Sequence, residues 1–176
     1  MLDPNGWRIV DGPAGSPATQ LSIDITLLKS HSPPILRFYT WDSPCITIGY
    51  SQNANQLLNM RQCLKEGLPV LKRPSGGGAI LHVPGEIAYT VSWPNPQNSG
   101  ISGPFDAAER ISTAFKSGLE KLGGRTITVV QKNRLAPSVA GNLCFTGSAV
   151  YELVGENGKV FAAAQRWTKN HFLQQG

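Results

Sequence analysis

Residues 70–93 read Val70-Leu71-Lys72-Arg73-Pro74-Ser75-Gly76-Gly77-Gly78-Ala79-Ile80-Leu81-His82-Val83-Pro84-Gly85-Glu86-Ile87-Ala88-Tyr89-Thr90-Val91-Ser92-Trp93, and the fold class turns on this stretch. Val70 to Lys72 is a short strand candidate that runs into Pro74-Ser75 and three consecutive glycines. Beyond them Ile87, Tyr89, Val91 and Trp93 alternate with Ala88, Thr90 and Ser92, the two-residue period of a half-buried strand, which stops at Pro94. A strand, a glycine loop and a second strand argue against a helix bundle.

Working outward, Trp7 to Val10 is a strand candidate closed by Asp11-Gly12-Pro13. Leu21, Ile23, Ile25, Leu27 and Leu28 read as a helix for which Pro17 suits the first turn. Pro33-Pro34 forces a break. Ile35 to Tyr39 and Cys45 to Ile48 read as two strands separated by the turn Trp41-Asp42-Ser43-Pro44. Asn59 to Gly67 is a short helix ended by glycine. Phe105, Ala108, Ile111, Phe115, Leu119 and Leu122 recur at helical spacing, with Pro104 at the start and Gly123-Gly124 past the end. Thr126 to Val130 follows as a strand. Ala149 to Val154 and Lys159 to Ala163 form a hairpin around Gly155-Glu156-Asn157-Gly158, whose Asn-Gly step suits positive φ. Strands outnumber helices and most neighbours read as antiparallel, so the class is α+β: a mixed, largely antiparallel sheet flanked by helices.

The bulk properties fit one domain over residues 1–176, since no repeat, linker or low-complexity tract divides the chain. Hydrophobic residues make up 40% and charged residues 15%, and 19 glycines with 13 prolines imply many turns. No apolar run approaches the roughly 20 residues of a spanning helix, and residues 1–15 hold no signal-peptide core. The reading is a cytoplasmic protein without a membrane partner. Cys45, Cys63 and Cys144 are odd in number and widely spaced, which speaks against a disulfide scaffold and a zinc site. The net charge of +5 is spread along the chain. Only Lys72-Arg73 are adjacent bases, so nucleic-acid binding is disfavoured and an acidic carrier protein suits the charge at least as well.

Three features could carry chemistry. Arg73-Pro74-Ser75-Gly76-Gly77-Gly78-Ala79 lets the backbone approach a ligand and presents several N–H groups, and it matches neither a Walker A loop nor a dinucleotide fingerprint. Cys144, between Leu143 and Phe145, reads from its context alone as a small buried hydrophobe. To act as a nucleophile it needs a nearby cation, which Lys159 on the hairpin can supply. His82 reads by default as a hydrogen-bonded structural histidine. Cys45 and Cys63 read as structural. The residues by themselves stop at a ligand-binding α+β domain with a candidate thiol.

Several segments together resemble the biotin/lipoate protein ligase superfamily, and within it the octanoyl and lipoyl transferase branch. Trp41-Asp42-Ser43-Pro44 through Ile48-Gly49-Tyr50-Ser51-Gln52-Asn53 resembles one family segment. Lys72 to His82 resembles its glycine-rich loop, and Gly85-Glu86-Ile87-Ala88-Tyr89-Thr90 is similar to the strand that follows. Cys144-Phe145, Tyr151-Glu152-Leu153, Gly158-Lys159-Val160 and Ala164-Gln165-Arg166 are similar to the stretch that holds the family's acyl lysine.

The resemblance implies a mixed sheet around an acyl pocket. It further implies Cys144 and Lys159 as catalytic residues, with Arg73, Ser75, Gly76, Gly77, Gly78, Ala79 and His82 lining the acyl or pantetheine site. Cys144 before Phe145 and Tyr50 before Ser51 resemble the cysteine-type octanoyltransferases more than the ATP-using ligases. The implied reaction takes an octanoyl group from an acyl carrier protein or glycine cleavage H protein, holds it as a Cys144 thioester and passes it to a lipoyl-domain lysine. It needs no cofactor or metal. ATP enters only under the alternative of a lipoate–protein ligase, and a non-catalytic acyl-binding remnant is the third reading. Two departures stand out: Ala162-Ala163 where the family resembles Gly-Ser, and Val83 after His82. The chain also lacks the family's C-terminal continuation.

Overall fold

A computed structural model describes residues 6–30, 33–123, 127–130, 150–156 and 158–176. The main sheet holds β1 (Arg8–Asp11), β2 (Ile35–Thr40), β6 (Ile87–Pro94), β11 (His171–Gln175) and β10 (Ala164–Trp167), in the order β1-β2-β6-β11-β10. A second sheet has β3 (Cys45–Ile48) between β4 (Val70–Lys72) and β5 (Ile80–His82), and a third joins β7 (Thr128–Val129), β8 (Leu153–Gly155) and β9 (Gly158–Phe161). The helices are α1 (Pro17–Leu27), α2 (Ala54–Leu57), α3 (Met60–Lys65) and α4 (Pro104–Lys121). The α+β class and the antiparallel majority expected from the sequence are what forms, with parallel pairing at β1–β2 and β3–β4.

The segments on either side of Trp41-Asp42-Ser43-Pro44 are strands as expected; β2 pairs with β6 and β3 pairs with β4 and β5, so the chain changes sheets at the turn. A parallel bridge between Gly15 and Trp41 marks the crossing. The strand taken as half-buried, β6, is buried on both faces from Ala88 to Ser92. Its small polar residues lie under α1, where Ser92 Oγ donates to the Leu27 carbonyl at 3.1 Å.

Helix α1 begins where expected, with Ser16 Oγ accepting from the Thr19 N–H and Pro17 in the first turn. The face it buries is Pro17, Gln20, Leu21 and Asp24, whereas Ile23 and Ile25 stay exposed. The reason is Arg37, which projects from β2 beneath the helix and needs acceptors. Its guanidinium donates to Asp24 Oδ1 at 3.0 Å and to Gln20 Oε1. Tyr39 Oη and Gln175 Nε2 donate to Asp24 Oδ2 at 3.1 and 2.7 Å. A fully buried carboxylate is tolerated only with such a complete set of donors.

The opposite face of the sheet carries α4. Phe115 packs on Tyr89 of β6 and Phe161 of β9, with ring centroids 4.6 Å apart in each case. Phe172 of β11 is wholly buried in the same cluster, worth about 3 kcal/mol by transfer of its surface. This wedge joins the third sheet to the main one.

Candidate functional site

The glycine loop is built by close approach. Ile48 O accepts from Arg73 N at 3.0 Å, and Ser75 O from Tyr50 N at 2.9 Å, so residues 73–75 run beside the end of β3. Gly49 sits where a Cβ would come within 2.1 Å of Gly77 O, so only glycine fits there without moving the loop. Gly77 itself has φ of 88°, the left-handed region where glycine is at no disadvantage. Gly76 N donates to Gln165 O at 3.2 Å, which ties the loop to β10.

Arg73 and Ser75, read from the resemblance as ligand contacts, are engaged within the protein. Arg73 is buried and donates from Nε and Nη2 to Gly76 O, from Nη2 to Gly78 O at 2.7 Å, and from Nη1 to the carbonyl and hydroxyl of Thr47. A five-donor planar fork is suited to this task, since it gathers carbonyls that the tight loop turns inward. Ser75 Oγ donates to Gln175 Oε1 at 2.6 Å, and Gln175 in turn donates to Asp24, so the loop is anchored to the buried polar network under α1.

Beside the loop lies a mostly apolar cavity walled by Leu21, Trp41, Ile80, Ala88, Ala162 and Ala163. Arg73 and His82 reach it, together with Thr47, Glu86, Glu152 and Gln175, to which the sequence reading gave no role. His82 is buried, packs on the Trp41 ring at 4.6 Å between centroids, and bonds through Nε2 to Thr47 Oγ1 at 2.8 Å and through Nδ1 to Glu86 Oε1 at 2.6 Å. Behind it, opposite His82 in the β3–β5 pairing, the Cys45 thiol is fully buried. Burial, with the Glu86 charge adding to it, pushes that thiol up to about 12. Such a thiol is inert, as expected of a structural cysteine.

Lys159 stands on β9, with its Nζ 2.7 Å from Glu152 Oε2, and both side chains are buried, 7% and 4% exposed. Glu152 carries this ion pair to the cavity wall. It follows Tyr151, whose φ of 67° is unusual for a bulky residue and is held by Tyr151 N donating to Val130 O and Ser112 Oγ donating to Tyr151 O. A tight turn at Gly155–Gly158 sets Val154 against Lys159 and leaves Glu152 two residues away, with a bulge between Leu153 and Val154. Cys144 lies outside the described residues. Among the described residues no group of three or more His, Cys, Asp or Glu side chains could hold a metal ion, and no helix is long and apolar enough to cross a membrane.

A mixed sheet wrapped by few helices thus carries a glycine loop and an apolar cavity, with Glu152 at its wall paired to the buried Lys159. The chain belongs to the lipoyl protein ligase A/B catalytic domain family, whose model matches residues 16–176. It is 34% identical to an octanoyltransferase LipM from Carboxydothermus hydrogenoformans, over 97% of this chain and 63% of that protein. The chain thus spans about 63% of the length of that curated relative. The fold is shared with a putative lipoate protein ligase from T. acidophilum, at a TM-score of 0.70 and 22% identity, covering 96% of this chain and 66% of that one. It is shared also with a bi-partite lipoate protein ligase described with its E2 lipoyl domain from Thermoplasma acidophilum. That match has a TM-score of 0.67 and 19% identity, over 99% of this chain and 60% of that one.

Proposed function

We propose that this chain is a cytoplasmic cysteine-type acyltransferase of lipoate biosynthesis, moving an octanoyl group from a carrier thioester to a lysine of a lipoyl domain. The observation that carries this reading is the buried Lys159–Glu152 pair at the wall of an apolar cavity, in a chain 34% identical to an octanoyltransferase. A wall of Leu21, Trp41, Ile80, Ala88 and Ala162 suits an alkyl tail.

In this reading Cys144 attacks the donor thioester as a thiolate, the carrier's thiol leaves, and the octanoyl group is held on Cys144. The Lys159 ammonium is the cation that favours the Cys144 thiolate and donates to the acyl oxygen as negative charge develops on it. Glu152 fixes the direction of that ammonium. The acceptor lysine, as free amine, then forms the amide bond while the C–S bond breaks and Cys144 is regenerated. The acyl group arrives already activated, so ATP is not consumed. Arg73 and Ser75 hold the Gly76–Gly78 loop and Ala79 over the acyl end. The donor is an acyl carrier protein or glycine cleavage H protein, drawn by the chain's net charge of +5.

The test is transfer of octanoate from an octanoyl-carrier protein to a lipoyl domain without ATP, followed by mass spectrometry of the acceptor. Octanoylated acceptor without ATP supports the reading. Product only from free lipoate or octanoate plus ATP, through an acyl-adenylate, identifies a ligase. Binding of the acyl donor with no product by either route identifies an acyl-binding remnant.

A further inference from the structure

We infer that Glu86, His82 and Thr47 form a proton-accepting relay that deprotonates the acceptor amine, so that His82 acts in the second half of the transfer rather than merely binding the acyl group. The inference rests on the proposed transferase reading. Amide formation from an ammonium must shed two protons: one goes to the departing Cys144 sulfur, and the other must leave the amine before it can attack. The cavity must therefore offer a base.

The hydrogen bonds around Thr47 accommodate such a relay. Arg73 Nη1 donates to Thr47 Oγ1 at 3.1 Å and occupies one lone pair. With Arg73 as that donor, the hydroxyl hydrogen is free to point to His82 Nε2, 2.8 Å away, and Nδ1–H to point to Glu86 Oε1 at 2.6 Å. In this arrangement the imidazole carries its proton on Nδ1 and accepts on Nε2. One lone pair of Thr47 Oγ1 is left, and Thr47 lines the cavity. An amine donating to it loses its proton to the hydroxyl as the hydroxyl passes its own to Nε2, and Glu86 stabilises the imidazolium. The geometry follows the logic of carboxylate, imidazole and hydroxyl in a line.

The charged and titratable groups facing His82 fit the role. Glu86 lies at the turn from β5 into β6, and Glu152 stands before β8 on the wall of the same cavity, paired with Lys159. The Arg73 charge after β4 disfavours an ammonium at Thr47 and so favours proton loss there. Cys45 on β3 is held as a neutral thiol. The Trp41 ring covers one face of the imidazole.

The experiment separates the half-reactions on the full chain. Octanoyl-enzyme is formed from octanoyl-carrier protein and then discharged either to a lipoyl-domain lysine or to hydroxylamine, which is already uncharged at neutral pH and needs no base. For Glu86→Gln and His82→Gln, lysine transfer falls on the order of 10²-fold further than acyl-enzyme formation or discharge to hydroxylamine. Raising the pH, which frees the amine in solution, shrinks that deficit. Glu86, at the rim of the cavity, keeps the test valid should His82→Gln fail to fold. Equal losses in all three steps, or no loss in lysine transfer, overturn the relay. An unaltered chain that never acquires the acyl group refutes the transferase reading itself, and the relay with it.

Discussion

Replacing Gly49 with alanine tests whether the glycine loop is held in one position by close packing. The new Cβ would stand 2.1 Å from Gly77 O and 3.1 Å from the Gly76 carbonyl carbon. Backbone cannot yield as a flexible side chain does, so the loop must retreat by about 1 Å to reach an ordinary contact distance. That movement stretches the bonds from Arg73 Nη2 to Gly76 O and Gly78 O, each now 2.7 Å. Bonds from a charged donor are worth about 1.5–3 kcal/mol each, so weakening two of them costs roughly 2–4 kcal/mol. For a chain of this length the melting temperature falls by about 5–15 °C. Differential scanning calorimetry reads that shift, and a double-mutant cycle reads its cause. With Arg73→Lys, which removes the fork, Gly49→Ala should cost less by about 1–2 kcal/mol, because the bonds it strains are already gone. A melting temperature within about 2 °C of the unaltered protein, or two losses that simply add, would refute the reasoning.

Other consequences follow from the same structure. Asp24→Ala leaves the buried Arg37 guanidinium without its carboxylate and should destabilise by about 3–5 kcal/mol in urea titration, whereas Asp24→Leu combined with Arg37→Met should recover most of that. Under native conditions near neutral pH, Cys45 should escape alkylation, with a thiolate fraction of about one in 10⁴ or less, and should label fully only after unfolding, as peptide mass mapping will show. Arg110, with the Ser102 N–H and hydroxyl, holds the Asp106 carboxyl below its ordinary range. Its contribution is therefore complete above the unfolded value and lost as pH falls through the folded one, so Asp106→Asn should flatten the acid limb of stability measured between about pH 5 and pH 2.

What could be read from the sequence was whatever local chemistry settles. Helix α4 is bounded by Pro104 and by Gly123 with φ of 91°, and Ala108, Ile111, Phe115 and Leu119 of its apolar stripe face the core, whereas Phe105 and Leu122 at its ends are exposed. The β8–β9 hairpin turns at Gly158 with φ of 119°. Strand β11 was not legible, because His171-Phe172-Leu173-Gln174-Gln175 looks like a polar tail. It is nevertheless buried throughout in the sheet, its amides satisfied from far along the chain. Gln174 donates to Tyr89 Oη and accepts from Gln165 Nε2, and Gln175 joins Ser75 to Asp24. The buried face of α1 was not legible for the same reason, since only Arg37 explains why Gln20 and Asp24 point inward while Ile23 and Ile25 do not.

The candidate site divides along the same line. The glycine loop could be singled out by its residue types, and Lys159 and His82 only with the family resemblance. The partners that give each a direction, Glu152, Glu86, Thr47 and Gln175, lie on other elements or across turns and carry no local signal. Arg73 has a structural task its type did not announce: it holds Gly76 O, Gly78 O and Thr47 while lining the cavity.

The most direct test of the acyltransferase reading is intact-mass analysis after incubation with octanoyl-carrier protein, before and after hydroxylamine. One octanoyl adduct that hydroxylamine removes, mapped to Cys144 and missing in Cys144→Ser, is the expected result. No adduct, or one that persists in Cys144→Ser, would contradict the thioester on which the mechanism depends.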